Sequence, residues 1–562
     1  MAFLKLVFKN SKKFKKNIFK LPYYLFLLFN FFVFLIFSFY ILNLQTGKID
    51  VFANYNSNSK KTIPAPRGQI YAQDKYGNLY PLATNIPYFK VYFKNFKNLD
   101  KENLVKIYQK IKEFFPNLTI EEFLNAGNRV LSLGEVDLEK KNKIQNLGID
   151  SLWVEQGYRR FYPYKELVSK FIGFVQESKG VYGLEAYYDD FLSGEDGILL
   201  NGKIVKVPEP GSDLLTTIDI NVQKKVYELT KKYLEDFKAK KAIVIVLNSK
   251  TGEIVSLVEI PSYDNNNFNL VNDYSLFELE SLKPYEPGSV IKPFLYALGI
   301  EEYKITPETT YEDKGFIVAD GHKIYNWDRK SYGTVDMQTA LNKSLNLGAI
   351  FVEEKVGDDN FLKMLEKIKI EEPTNVDLKE EIGSLKTLRK PFGRKVNFYT
   401  ASFGQGITIT PLRLLVDFNI FANRGFILKP FLVKEIRKSN TQKISGMILA
   451  KPFSEETINK MNLMLQKVVE DGFGKRAKME NYYVGGKTGT SLVYNPEIKD
   501  YDENKIVHTF VGYFPATDAK FTILTLFKET PNDLIASQTV TRLWKEIAEF
   551  LASYYGILPD KY

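Results

Sequence analysis

The sequence predicts a multidomain α+β protein, and three observations carry that prediction. At 562 residues the chain is too long for one compact core, so about three domains is the starting expectation. Hydrophobic residues at 44% and charged residues at 26% describe a folded chain and exclude wholesale disorder or a fibrous repeat. Strand-like apolar runs near 242–258 and 481–527 bracket a helix-rich middle, the pattern of an antiparallel sheet with helices packed on it.

The N-terminus comes first. Residues 1–20 hold seven lysines and no acid, so of the net charge of +10 only +3 remains for the other 542 residues. A nucleic-acid binder would carry its excess on a folded face, and none is expected as a partner here. No charged residue occurs from Leu21 to Gly47. About 20 apolar residues span a bilayer as a helix, so 21–44 reads as a single membrane span. The lysines before it place residues 1–20 in the cytoplasm and the bulk of the chain outside the cytoplasmic membrane. A cleaved secretory signal ending at Val51-Phe52-Ala53 is the alternative, but signal cores are shorter, about 7–15 residues.

Asn54 to Lys61 reads as a polar linker, closed by Pro64-Ala65-Pro66-Arg67-Gly68. An anterior domain over 45–235 mixes short strand patterns with lysine-rich amphipathic helices such as 101–114, and it shows no cluster of catalytic residue types. A domain over 236–562 follows. Ala242–Leu247 and Glu253–Val258 flank a turn at Asn248–Gly252 and read as a β-hairpin. Helical segments are expected from about 288 to 370, strands at 481–493, 506–514 and 521–527, and an amphipathic helix over 535–554.

Residue types narrow the chemistry. Cysteine is absent, which removes disulfides, thiol nucleophiles and cysteine metal sites. With only His322 and His508, no metal site is expected. Ser289-Val290-Ile291-Lys292 sits at the start of an apolar helix expected over 290–300, directly after Pro287-Gly288. Residues three apart share a helix face, so the Lys292 amine can approach the Ser289 hydroxyl. A serine hydroxyl is a weak nucleophile until a base takes its proton. Lysine serves as that base only when neutral, which at pH 7 needs a bias of about 4–5 kcal/mol. Burial supplies part, and a second lysine supplies more. Lys487-Thr488-Gly489-Thr490, on an expected strand, offers that lysine, and Ser344-Leu345-Asn346 offers a hydroxyl and an amide at the opening of another helix.

Each triplet alone is weak. Ser57–Lys60 repeats the first in the linker, and Lys250–Gly252 repeats the third in the hairpin turn. Order and context together make the signal strong. Two rival readings fail: a phosphate loop ending at Gly486-Lys487-Thr488 would need glycine or alanine where Asn481 stands, and a Ser-His-Asp hydrolase would need one of the two histidines to reach Ser289.

The three motifs resemble the penicillin-binding transpeptidases, whose catalytic domain is of the serine β-lactamase-like fold. Tyr285 to Pro293 looks like the nucleophile segment, and Phe403-Gly404-Gln405-Gly406 with Thr410-Pro411 resembles the run between the second and third motifs. Pro261-Ser262-Tyr263-Asp264 is similar to a stretch upstream of the serine. Arg67-Gly68-Gln69-Ile70 with Asp74 and Gly77, Arg160 with Tyr162-Pro163, and Gly183-Leu184-Glu185 look like the class B pedestal motifs.

The resemblance implies that Ser289 attacks the penultimate D-Ala carbonyl of a peptidoglycan stem peptide and that an amine from a second stem resolves the acyl-enzyme. Lys292 would be the base, Ser344 and Lys487 would handle protons at the leaving nitrogen, and Asn346 would hold the peptide amide. Thr488, Gly489 and Thr490 would bind substrate. No cofactor is expected. β-Lactam antibiotics should acylate Ser289, and a polytopic glycosyltransferase and other division proteins are the expected partners at the membrane. Asn346 is similar to the division-type (FtsI-type) proteins rather than the elongation type. Ser491 after Thr490, and Gly472-Phe473-Gly474, depart from the family pattern without touching the expected chemistry. The competing readings are an elongation-type transpeptidase, a membrane-anchored serine β-lactamase and a non-catalytic scaffold.

Overall fold

The computed structural model describes residues 60–95, 97, 99–126, 129–200, 203–495, 500–531 and 533–561. The expected basic tail at 1–20 and membrane span at 21–44 lie outside the described residues. Among those described, no helix is long and apolar enough to cross a membrane. The chain divides into two compact units. In the smaller one, Lys60–Ile63, Gly197–Leu200 and Lys203–Lys206 form a three-stranded antiparallel sheet.

The larger unit holds the anterior and catalytic parts. Its anterior sheet contains β1 (Ile70–Gln73), β2 (Leu79–Phe93), β3 (Leu131–Val136), β4 (Leu152–Phe161) and β5 (Asp213–Asp219). The 15-residue β2 pairs with β1 at its start and with β3 and β4 further on. Phe89, Val91 and Phe93 alternate inward from its far half and meet Tyr108 and Ile111 of helix Lys101–Ile111, which gives this end its own core.

The anterior motifs converge on one carboxylate. Glu185 is fully buried, and its two oxygens take Arg67 Nε and Arg160 Nε at 2.7 Å each, with the Tyr162 hydroxyl at 3.4 Å. Asp74 and Gly77 build a separate turn: Asp74 Oδ1 accepts from the Tyr76 and Asn78 amides, and Gly77 adopts φ +86.

Helix α1 (Ile220–Asp236) is capped by the Asp219 carboxylate, which accepts from the amides of Asn221 and Val222. The sequence assigns this helix to the anterior domain, but Val222, Val226, Leu229 and Tyr233 are buried against the catalytic sheet. The β6 (Lys241–Asn248) and β7 (Ile254–Ile260) hairpin forms as expected around the 248–252 turn. Alternation along β6 sends Ile243, Ile245 and Leu247 into one core and Ala242, Val244 and Val246 into a second on the other face, which is why this run is apolar throughout.

The middle of the catalytic part contains α2 (Lys292–Glu302), a hairpin of β8 (Phe316–Ala319) and β9 (His322–Tyr325), then α3 (Met337–Asn342) and α4 (Asn346–Val356). Strands within 310–336 interrupt the run expected to be mainly helical. Their four-residue length is too short for periodicity to reveal, and Asp320 (φ +48) with Gly321 (φ +81) makes the turn. Strand β10 (Val433–Arg437) pairs with β5 and so joins the anterior sheet to the catalytic part. Asp377 strengthens that junction: its carboxylate accepts from the Leu432 and Val433 amides and from the Tyr188 hydroxyl.

Helix α5 (Glu455–Asp471) packs on α2, α3 and the last sheet strands. These strands, β11 (Gly485–Asn495), β12 (Asp500–Phe514) and β13 (Phe521–Thr530), precede α6 (Val540–Tyr555). The catalytic sheet is fully antiparallel in the order β7-β6-β13-β12-β11. Helices α1 and α6 cover one face and the helix-rich core the other, which leaves β11 as an edge strand.

Candidate active site

Ser289 does not sit on the α-helix proper. Gly288–Ile291 forms a 3₁₀ turn, and α2 begins at Lys292, one residue before Pro293. Gly288 takes φ +56, which turns the chain out of Pro287, and its amide donates to the Gly404 carbonyl. The turn exposes part of Ser289 to a cavity of about 420 Å³ and buries Lys292 completely beneath it.

The Lys292 amine donates to the Ser344 carbonyl at 2.7 Å, to the Asn346 Oδ1 at 3.0 Å and to the Ser344 hydroxyl at 3.5 Å. Its hydrogen bonds therefore run to the second motif, none to the Ser289 hydroxyl one turn earlier. Ser344 reaches this position in the left-handed conformation, φ +54, just past the end of α3. Such a conformation costs about 1–3 kcal/mol for a residue with a side chain. Asn346 opens α4, as the sequence predicts, and its Nδ2 donates to the Tyr325 carbonyl at 3.0 Å.

Lys487 arrives on β11, the strand the sequence predicts. Its amine donates to the Ser344 hydroxyl and to the Thr488 carbonyl, both at 2.9 Å. Ser344 Oγ thus bridges two buried lysine amines with no carboxylate among their hydrogen-bond partners. Burial pushes Lys487 down to about 7. Burial, and then the Lys487 charge, hold Lys292 well below the ordinary lysine range.

Thr488 and Thr490 line the same cavity, while Gly489 packs against the nucleophile turn. A Cβ there would stand 2.8 Å from the Pro287 carbonyl and 2.8 Å from Val290 Cγ2, so only glycine allows β11 to pass this close. The structure therefore gathers Ser289, Lys292, Ser344, Asn346, Lys487, Thr488, Gly489 and Thr490 at one cleft. The two histidines stand elsewhere. His322 is exposed on β9; His508 is buried on β12 with Nδ1 3.0 Å from the Thr539 hydroxyl, and burial pushes it down to about 4.

Other contributors escaped the sequence reading. The Phe473 and Trp327 rings line the cavity at 5.2 Å from each other, so the Gly472–Gly474 departure does reach the site. Phe403 and Gln405, quoted above only for their resemblance, are further walls. Glu286, three residues before Ser289, is half-buried; its Oε1 accepts from the Gly406 amide at 3.0 Å and the Tyr501 hydroxyl at 2.9 Å. Its carbonyl accepts from the Ser491 hydroxyl at 2.9 Å. Glutamate inside the quoted nucleophile segment was the available signal, but its partners lie more than 100 residues away.

An antiparallel sheet packed against a partly exposed serine with a lysine buried beneath it, a second serine and a strand-borne lysine defines a class of serine acyl-transferring proteins. The penicillin-binding protein transpeptidase domain model matches residues 242–548, more than half of the chain, and the penicillin-binding protein dimerisation domain model matches 62–214. The chain belongs to the penicillin-binding proteins, class B.

Stage V sporulation protein D of Bacillus subtilis (strain 168) is 29% identical over 441 residues, covering 74% of this chain and 66% of that relative. The match thus spans just under two thirds of that protein's length. Peptidoglycan D,D-transpeptidase FtsI of Buchnera aphidicola is 28% identical over 519 residues, covering 88% of each chain. Among solved structures, penicillin-binding protein 2X from Streptococcus thermophilus shares the fold with a TM-score of 0.76 at 22% identity, over 88% of this chain and 81% of that one.

Proposed function

We propose that the chain is a peptidoglycan D,D-transpeptidase of the division type that works through a serine acyl-enzyme. The observation that carries this reading is the Lys292–Ser344–Lys487 relay buried under Ser289. Neutral Lys292 takes the Ser289 proton as Oγ bonds to the penultimate D-Ala carbonyl. The backbone N–H groups of Ser289 and Thr490 receive the oxyanion, a contribution of about 3–4 kcal/mol per donor in other acyl-transfer enzymes. Collapse breaks the peptide bond, and the leaving D-Ala nitrogen takes its proton through Ser344 and Lys487. The amine of a second stem then attacks the ester, forms the crosslink and frees Ser289.

Strand β11 lies at the sheet edge, where an extended stem peptide can add as a further strand. Thr488 and Thr490 then grip its terminal carboxylate, and the Asn346 amide holds its backbone. Among the described residues lining the cavity there is no carboxylate to activate a deacylating water, which favours transfer over a β-lactamase. The FtsI-named relative and Asn346 favour division over elongation.

The organisation we propose is a cytoplasmic tail at 1–20, a membrane span at 21–44, an anterior pedestal and an extracytoplasmic catalytic domain that meets a polytopic glycosyltransferase at the membrane. The domain boundary drawn from composition lies at 235; the packing of α1 on the catalytic sheet favours one nearer 219.

A fluorescent penicillin tests the assignment: wild type should label covalently and Ser289→Ala should not. Equal labelling of the two would remove Ser289 from the mechanism. Depletion of the protein in its host should give filaments; round cells would assign it to elongation instead.

A further inference from the structure

The outward face of the β8–β9 hairpin has the wrong polarity for a face turned to water. Its register sets Phe316 against Tyr325, Ile317 against Ile324 and Val318 against Lys323. Alternation turns Ala319 and Ile324 into the core, as their burial shows. The solvent side of such a hairpin is ordinarily polar. Here it carries Phe316, Val318 and Tyr325, which are 43%, 54% and 37% exposed.

This apolar stripe continues into the cleft. The Phe316 and Tyr325 rings lie 5.9 Å apart. Two residues beyond Tyr325 stands Trp327, 52% exposed, whose ring meets Phe473 on the wall of the cavity that holds Ser289. The platform is rigid. Besides the bond from Asn346 to the Tyr325 carbonyl, Asn326 Oδ1 accepts from the Leu347 amide at 3.2 Å, and Asn326 Nδ2 donates to Asp313 at 2.8 Å. Trp327 Nε1 donates to the Lys343 carbonyl at 3.2 Å. A cation lies over one face of each ring and leaves the other for stacking: Lys323 Nζ is 5.0 Å from the Phe316 centroid, and Arg329 Cζ is 5.6 Å from that of Tyr325.

We propose that this stripe is a subsite for the glycan strand from which the reacting stem peptide hangs, with sugar rings stacked on Phe316, Tyr325 and Trp327. The proposal rests on the transpeptidase reading above. A stem whose carbonyl sits at Ser289 is tethered to a polysaccharide, so the strand must run past the rim of this cleft. Flat aromatic faces suit the C–H faces of sugars, and Lys323 and Arg329 suit the carboxylates of neighbouring stems. A stable protein partner would need about 1,200–2,000 Å² of total buried surface. The outward face of two four-residue strands is a narrow strip, which fits a linear polymer better.

The test uses the full-length protein with the double substitution Phe316→Ala and Tyr325→Ala, which leaves the Tyr325 carbonyl in place. Acylation by a fluorescent penicillin, and turnover of a soluble pentapeptide free of sugar, should stay within twofold of wild type. Crosslinking of uncrosslinked glycan strands bearing pentapeptide stems should fall tenfold or more, with the loss in KM rather than kcat. Phe316→Tyr with Tyr325→Phe should restore it. Wild-type crosslinking by the alanine variant would overturn the proposal. So would an equal loss of penicillin acylation, because the hairpin would then act only through Asn346, and so would a defect seen only when a partner protein is added. Failure of the wild type itself to take penicillin would instead overturn the transpeptidase reading.

Discussion

At the residue scale the site is a problem in keeping an amine uncharged. Lys292 is wholly buried, and its nearest charged neighbour of consequence, Lys487, is positive. Removing that neighbour makes the charged form of Lys292 less unfavourable, so its pKa should rise. Lys487→Gln is therefore expected to move the acid limb of the penicillin acylation rate to higher pH, read from a stopped-flow pH profile. An unmoved limb would show that Lys487 does not tune Lys292. Ser344 is the shared hydrogen-bond partner of both amines. Ser344→Ala should slow acylation by about 10²-fold or more, the scale of a lost proton-transfer group, while leaving the protein folded. These residues were legible in the sequence because serine, lysine and asparagine recur at short, fixed spacing. Glu286, Trp327 and Phe473 were not, because their significance lies in the partners they meet from distant segments.

At the scale of elements, close approach decides the geometry. Strand β11 reaches the nucleophile turn only because residue 489 has no side chain, and Gly404 does the same from the other side: a Cβ there would lie 2.1 Å from the Gly288 carbonyl. Gly489→Ala should lower stability by about 1–3 kcal/mol, the usual cost of overpacking, and slow acylation more than that loss of folded protein explains. A combined melting and labelling experiment separates the two effects. The expected helix start near 290 fell at 292 because Gly288 is left-handed and Ser289 to Ile291 wind as a 3₁₀ turn. Hairpin β6–β7 and strand β13 followed their sequence patterns closely, since each is an apolar run bounded by turn residues, whereas β12 begins at Asp500, six residues before the expected 506, in a charged stretch. The hairpin at 316–325 was hidden because its outward face is apolar and alternation is lost.

For the whole molecule, buried charge ties the parts together. Glu185→Ala would leave Arg67 and Arg160 in the anterior part without their shared counter-ion. Breaking a buried pair in this way costs about 3–5 kcal/mol, so a large fall in Tm is expected, with Glu185→Gln in between. Glu353, fully buried on α4, is pushed up to about 8 by burial and by a hydrogen bond with Asp358. A carboxyl whose pKa is raised in the folded state binds more protons there than in the unfolded chain. Its contribution to stability therefore falls as pH rises from its ordinary value through about 8. Glu353→Gln cannot ionise, so its Tm relative to wild type should climb across that window; a constant difference would show that Glu353 does not titrate there.

The sequence by itself determined the chemistry on offer: which hydroxyl, which two amines and which amide the chain would bring to a reaction, and roughly where its strands and helices lie. Local spacing carries that information because a helix or strand fixes neighbours within a few residues. Only the tertiary structure decided that Lys292 bonds to Ser344 and Asn346 rather than to Ser289, that α1 packs on the catalytic sheet, and that Trp327 and Phe473 meet on one wall of the cleft. The physical reason is burial. Desolvation, pKa and packing are set by residues far apart in the chain, and they come into being only when the sheet closes against its helices.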